Sequence, residues 1–182
     1  MVSPLMTPAE ARQHATFTAL MWALSYPGRV QRLPAAGRIA FANVAKALLD
    51  LETGFCCPDA ELAALLARSG ARTLSPEAAP YQFYPQIDEA ALAAIERAPI
   101  GNYAEPEDAA TLVIGCTLGD GQVLSLRGPG IVEATELRVG GLPAAFWELR
   151  ARAINYPLGW DCFLLAEDCV LGLPRTTIVE VR

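Results

Sequence analysis

A chain of 182 residues, 53% apolar and 19% charged, with a net charge of −6, is long enough for one core of ordinary size and has the wrong sign to follow a nucleic-acid backbone by counterion release. Its longest apolar runs, such as Ala109–Leu118 and Cys162–Ala166, fall far short of the ~20 residues that span a bilayer, so they read as buried strands and not as membrane spans. An apolar fraction this high predicts a large core together with a face covered by another subunit, as a homodimer or a hetero-oligomer.

In chain order, Thr7-Pro8-Ala9-Glu10 has the form of a capping box, with a hydroxyl at N-cap, proline at N1 and a carboxylate at N3, and predicts a helix start. Phe17, Leu20, Met21 and Leu24 recur at helical spacing as its expected buried stripe, and Ser25-Tyr26-Pro27-Gly28 must end it. A short strand is expected near Arg29–Leu33, and Arg38–Leu51 carries a second helical stripe of Ile39, Val44, Ala45, Leu48 and Leu49. Pro58–Ser69 reads as a third helix closed by Gly70. Thr73–Gln86 reads as a loop with a short strand, and Asp88 caps a fourth helix, Glu89–Arg97. Beyond Pro106 the pattern turns to strands: a β-branched run Thr111–Leu118, a hairpin turn at Gly119-Asp120-Gly121, and a strand Gln122–Leu126 ending at Arg127-Gly128-Pro129-Gly130. Thr135–Val139 is a strand, Pro143–Ala153 a helix, Asp161–Ala166 with Cys169–Leu173 a hairpin turning at Glu167-Asp168, and Ile178–Val181 a last strand. The order predicts a single α/β domain over residues 1–182, three-layered, with a mixed sheet flanked by helices.

Residue supply excludes much chemistry. There is no Gly-Lys-Ser/Thr of a P-loop and no G-x-S-x-G elbow; the proline of Arg127-Gly128-Pro129-Gly130 removes an amide that a phosphate would need. The only histidine, His14, lies in the first helix and reads as a surface or packing residue. Five cysteines, at 56, 57, 116, 162 and 169, lack zinc spacing and suit reduced, buried thiols. With an N-terminus showing neither a basic segment nor an apolar one, they predict a cytoplasmic protein. No metal and no tightly bound nucleotide is expected.

Three groups of segments combine turn residues with polar ones. They are Tyr26-Pro27-Gly28; Leu126 to Ile131, holding Arg127, Gly128 and Gly130; and Pro157 to Asp161 with Leu173-Pro174-Arg175-Thr176-Thr177. Each has a purely structural reading as a turn or a strand. The last is the most informative, because Asp161 opens an apolar strand and Arg175 is expected to begin another. If those strands pair, the two side chains form a bidentate ion pair, or Arg175 with the Thr176 and Thr177 hydroxyls holds a phosphate or phosphonate oxygen.

Taken in order, Leu20–Gly28, Leu48 to Thr53, Ala110-Thr111, Leu126–Ile131, Tyr156 to Asp161 and Leu173 to Thr177 resemble the PhnH family of the bacterial carbon–phosphorus lyase system. The resemblance is closest in the C-terminal third and looser between Phe55 and Pro106. It implies an accessory subunit that, with PhnG, PhnI, PhnL and other subunits, supports displacement of adenine from ATP by a phosphonate, giving a ribose 1-phosphonate 5-triphosphate. It implies also a fold like the large domain of pyridoxal-phosphate-dependent transferases, without the cofactor. The only lysine, Lys46, falls mid-helix between Ala45 and Ala47, a poor place for a Schiff base. One histidine and one lysine favour a scaffold or substrate-shaping role over general acid–base work. The competing reading is a stand-alone small-molecule enzyme with Cys116 or Cys162 as nucleophile.

Overall fold

A computed structural model describes residues 6–182; residues 1–5, on which the expectation about the N-terminus rests, lie outside the described residues. Helix α1 (Pro8–Ser25) begins as its capping box requires, the Thr7 hydroxyl accepting from the Glu10 amide and the Glu10 carboxylate from the Thr7 amide. Its buried face is only partly the expected one: Leu20 is buried and Leu24 packs against the core, as expected. Thr16, Ala19, Leu20 and Ala23 are buried, whereas Phe17 and Met21 are 53% and 44% exposed. The cause is close approach to the sheet: a Cβ on Gly172 would lie 2.4 Å from the Ala23 carbonyl group, so only small residues fit beneath the helix.

A short strand, β1 (Gln31–Arg32), leads to α2 (Gly37–Leu48), which buries Ala40, Phe41, Val44 and Ala45 but leaves Ile39 63% exposed, outside the stripe assigned to it. Then come β2 (Gly54–Cys56), α3 (Ala60–Leu66) capped by the Asp59 carboxylate on the Leu62 amide, a 3₁₀ turn ended by Gly70 at φ +89°, and β3 (Arg72–Thr73). The segment expected to be mostly loop holds β4 (Tyr81–Tyr84), a buried strand. Its polar member, Gln82, is satisfied by donating to the carbonyl of Pro76 at 2.7 Å and accepting from the Tyr84 hydroxyl at 2.6 Å, which also ties down the preceding loop. Asp88 caps α4 (Glu89–Ile95).

Strands β5 (Thr111–Gly115), β8 (Asp161–Ala166) and β9 (Cys169–Leu173) complete a seven-stranded mixed sheet ordered β1-β9-β8-β5-β4-β2-β3. The run from β8 to β3 is parallel, while β9 and β1 are antiparallel additions at one end. Both faces are covered, so alternate residues enter two cores. Phe83, Val113, Phe163 and Leu165 pack with α1, α2 and α3, and Leu112, Ile114 and Leu164 pack on the opposite side with α4.

That second side is shared with an insertion between β5 and β8. Strands β6 (Thr117–Arg127) and β7 (Thr135–Gly140) pair antiparallel, β10 (Ile178–Val181) adds to the free edge of β6, and α5 (Ala144–Ala153) packs beside them. The hairpin expected at Gly119-Asp120-Gly121 does not form. Pairing runs from β6 to β7, with Leu118 and Gln122 both opposite Val139, so the three residues between them bulge out of one continuous strand. Local turn chemistry is overridden because β5 is held as a parallel neighbour of β4 and β8 and offers β6 no free edge.

Candidate functional site

Between β9 and β10 the chain leaves the large sheet for the small one through a tight turn, Pro174–Thr177, in which the Thr177 amide donates to the Pro174 carbonyl at 2.9 Å. Arg175 therefore lies in a turn beyond the end of β9 and does not open a strand, contrary to the sequence expectation. Asp161 and Arg175 nevertheless meet, because Asp161 starts β8 and the end of β9 lies beside it, Leu173 pairing with Cys162. Arg175 Nη2 donates to Asp161 Oδ2 at 2.9 Å, and the Arg175 amide donates to Asp161 Oδ1 at 2.7 Å. Arg175 Nη1 donates to the carbonyls of Pro106, at 2.6 Å, and of Pro157, at 3.3 Å. With the two side chains only 15% and 23% exposed, the guanidinium is taken up by the protein. It works as a clamp that fastens the turn to β8 and to the loops before β5 and β8.

The other expected segments converge on the same region. Gly130 sits against the end of α1, where a Cβ would lie 2.5 Å from the Ser25 carbonyl oxygen. Gly128 sits against the crossover turn, where a Cβ would lie 2.6 Å from the Thr176 oxygen. Both have positive φ, +81° and +139°, so these positions need glycine for conformation and for space. A Cβ on Gly28, at φ +86°, would meet Leu126 at 3.4 Å and Thr135 at 3.5 Å, and one on Gly130 would lie 2.9 Å from Pro27. Arg127 is not part of the constellation; it pairs with Glu180 across β6 and β10 at 3.0 Å on the surface.

One buried charged side chain escaped the sequence reading. Arg150, in the last turn of α5, is 3% exposed; its Nη1 donates to the Thr177 carbonyl at 3.2 Å and its Nη2 to the Pro174 carbonyl at 3.0 Å. It makes no ion pair among the described residues, and burial pulls its pKa down, only partly countered by Cys162 and Asp161. Trp147, Arg150, Ala151 and Ile154 stand at i, i+3, i+4 and i+7, one helix face. That face, with Thr176 and Thr177, walls a cavity of about 680 Å³. The signal was present: an arginine placed among Phe146, Trp147 and Leu149 in a helix that otherwise buries aromatic and aliphatic groups.

The residues lining this cavity include no histidine, lysine or carboxylate, and Tyr156 is the only lining group besides the two arginines that can titrate. It can bind and orient a ligand, but it holds no general base of ordinary pKa and no activated nucleophile. Nor do the cysteines supply one. Cys162 is buried beneath Arg150, its thiol pushed up to about 11 by burial despite that cation, and the Cys116 thiol is pushed up to about 12. Cys116 borders a smaller cavity with Arg38 and Glu167, whereas His14 lies by a different hollow, with Glu10 and Phe17. Lys46 is exposed on α2.

Fold and cavity together define an α/β protein with an arginine-walled pocket suited to binding. The chain belongs to the PhnH family: the model described as bacterial phosphonate metabolism protein (PhnH) matches residues 5–180. Among its relatives, a putative C-P lyase subunit protein, HtxG, of Stutzerimonas stutzeri is 35% identical over 96% of this chain and 93% of its own. The alpha-D-ribose 1-methylphosphonate 5-triphosphate synthase subunit PhnH of Rhizobium meliloti (strain 1021) is 40% identical over 50% of this chain and 46% of its own. No helix among the described residues is long and apolar enough to cross a membrane.

Proposed function

We propose that the chain acts as an accessory subunit of a carbon–phosphorus lyase system, required with PhnG, PhnI and PhnL when a phosphonate displaces adenine from the ribose of ATP. The family match over nearly the whole chain carries this reading, and the chemistry of the pocket refines it. A cavity with two arginines and two threonines but no histidine, lysine or carboxylate shapes or positions a bound partner while chemistry proceeds on another subunit. The chain then works as one cytoplasmic domain, resembling the large domain of pyridoxal-phosphate-dependent transferases without the cofactor, and assembles as a homodimer or within a hetero-oligomer. The stand-alone cysteine enzyme is disfavoured by the raised thiol pKa values of Cys116 and Cys162.

The test is reconstitution. Mixed with the three partner subunits, ATP and methylphosphonate, the chain should be needed for adenine release, and it should release none alone. Adenine release of equal rate without the chain would refute the reading.

A further inference from the structure

Strand β10 is an outer strand of the small sheet, ordered β10-β6-β7, so one of its edges has no strand beside it. The register decides which groups that edge presents. The Arg182 amide donates to the Val123 carbonyl at 2.9 Å, and hydrogen-bonded pairs alternate along an antiparallel ladder. Glu180 and Ile178 therefore turn their backbone groups toward Ser125 and Arg127 of β6, while Val179 and Val181, and Thr177 before them, turn theirs the other way. Helix α5 stands on that side, since Arg150 Nη1 donates to the Thr177 carbonyl. Beyond this first carbonyl, the amides and carbonyls of Val179 and Val181 find no hydrogen-bond partner among the described residues. The cavity of about 680 Å³ runs along the same edge, with Ile178 and Val179 on one wall and Trp147, Ala151 and Ile154 on the other. No carboxylate lines it, and Arg150 brings to it a positive charge that no ion pair neutralises among the described residues.

We infer that the groove between α5 and β10 receives an extended, acidic segment of another protein subunit, which adds a fourth strand to the three-stranded sheet. The backbone of Val179 and Val181 pairs with it, and one of its apolar side chains sinks between Ile154 and Val179. An open strand edge is a template for strand addition; its main-chain bonds supply affinity, and a pocket beside it selects alternate side chains. A small molecule in the cavity would leave the edge unpaired. A second copy's β10 does not fit, because each copy carries α5 along the edge it would offer, and the helices would meet before the strands. The unneutralised charge of Arg150, acting through a medium of low dielectric, favours an acidic segment over a basic one. The inference deepens the functional reading above and rests on it for the existence of a partner subunit.

The experiment is amide hydrogen exchange on the full chain, alone and mixed with PhnG, PhnI and PhnL, together with the affinity of chain variants for the same subunits. In the free chain the Val179 and Val181 amides should exchange faster than those of Glu180 and Arg182, and in the complex they should become protected. Val179→Pro removes an amide that no bond to β6 uses, a change an edge strand tolerates. It should weaken binding of the partner subunits by about tenfold or more at an unchanged melting temperature. Ala151→Glu, at an exposed position on α5, sets a carboxylate at the groove and should weaken binding more than Ala151→Lys does; this comparison decides the matter if Val179→Pro does not fold. A complex in which the two amides still exchange quickly, or one formed equally well by Val179→Pro and Ala151→Glu, overturns the inference. So does protection that grows with the concentration of the chain alone, which would put a second copy in the groove. Equal weakening by Ala151→Glu and Ala151→Lys overturns the acidic character of the segment. A complex that releases adenine while these amides stay open would sink this inference alone. Protection by the partners without any need for the chain in adenine release would sink the functional reading alone, and absence of any complex would sink both.

Discussion

Arg150 and Arg175 fasten the same four-residue turn, Arg150 by donating from α5 to its carbonyls and Arg175, a member of the turn, by donating to Asp161. Arg175→Ala strands a largely buried Asp161 carboxylate and frees the Pro106 and Pro157 carbonyls, so it should cost about 3–5 kcal/mol in chemical denaturation. Arg127→Ala, which removes an exposed pair with Glu180, should cost under about 1 kcal/mol by the same measurement. Equal losses in the two variants would mean that Asp161 finds water when Arg175 is removed and that the clamp is weak. The Asp161–Arg175 contact was legible because Asp161 opens an apolar strand and Arg175 was expected near the same sheet end, although it lies in the turn after β9 and begins no strand. Arg150 carries no such signal, since a basic residue in the last turn of a helix is ordinary beside the dipole, and only burial sets it apart from exposed Arg152.

At the level of elements, α1 shows how far periodicity leads and where it stops. Two registers of the same helix offer an apolar stripe; the one with larger side chains, Phe17 and Met21, loses to the one with Ala19 and Ala23 because Gly172 on β9 brings backbone against backbone. Gly172→Ala should therefore destabilise by about 1–3 kcal/mol through overpacking, although alanine is the mildest possible change. Phe17→Ser should alter the unfolding free energy by no more than about 0.5 kcal/mol. The reverse order of effects would restore the larger stripe as the buried one. The outward side chains leave Trp22 stacked on Tyr26 at 5.4 Å and Arg29 over the Tyr26 ring. The same lesson applies to Gly119-Asp120-Gly121, whose turn-forming residues are used as a bulge within β6 because the neighbouring strand is already paired on both sides.

For the molecule as a whole, burial of thiols makes stability depend on alkaline pH. The thiols of Cys57, Cys116 and Cys162 are raised from 9.0 to about 11, 12 and 11, chiefly by desolvation, and the Tyr84 phenol is raised in the same direction. The unfolded chain releases these protons first. Their contribution is therefore complete below pH 9 and is lost as the pH climbs toward about 12. The urea midpoint should hold from about pH 7 to pH 9 and fall above it, and Cys116→Ala should flatten part of that fall. A midpoint insensitive to pH up to about 11 would show that the thiols open to water in the folded state. The amino-acid sequence by itself determined the helix starts at Thr7 and Asp88, the existence of the third helix, the β8–β9 hairpin, the α/β class and the family, since caps, turns and apolar runs act over a few residues and the family pattern is carried by short segments in order. Only the tertiary structure decided the parallel strands β2 and β4, the bulge in β6, the outward face of α1 and the joining of Arg150 to the Pro174–Thr177 turn. Each of these depends on which distant backbone takes up a free edge or a close approach, and no local pattern encodes that choice.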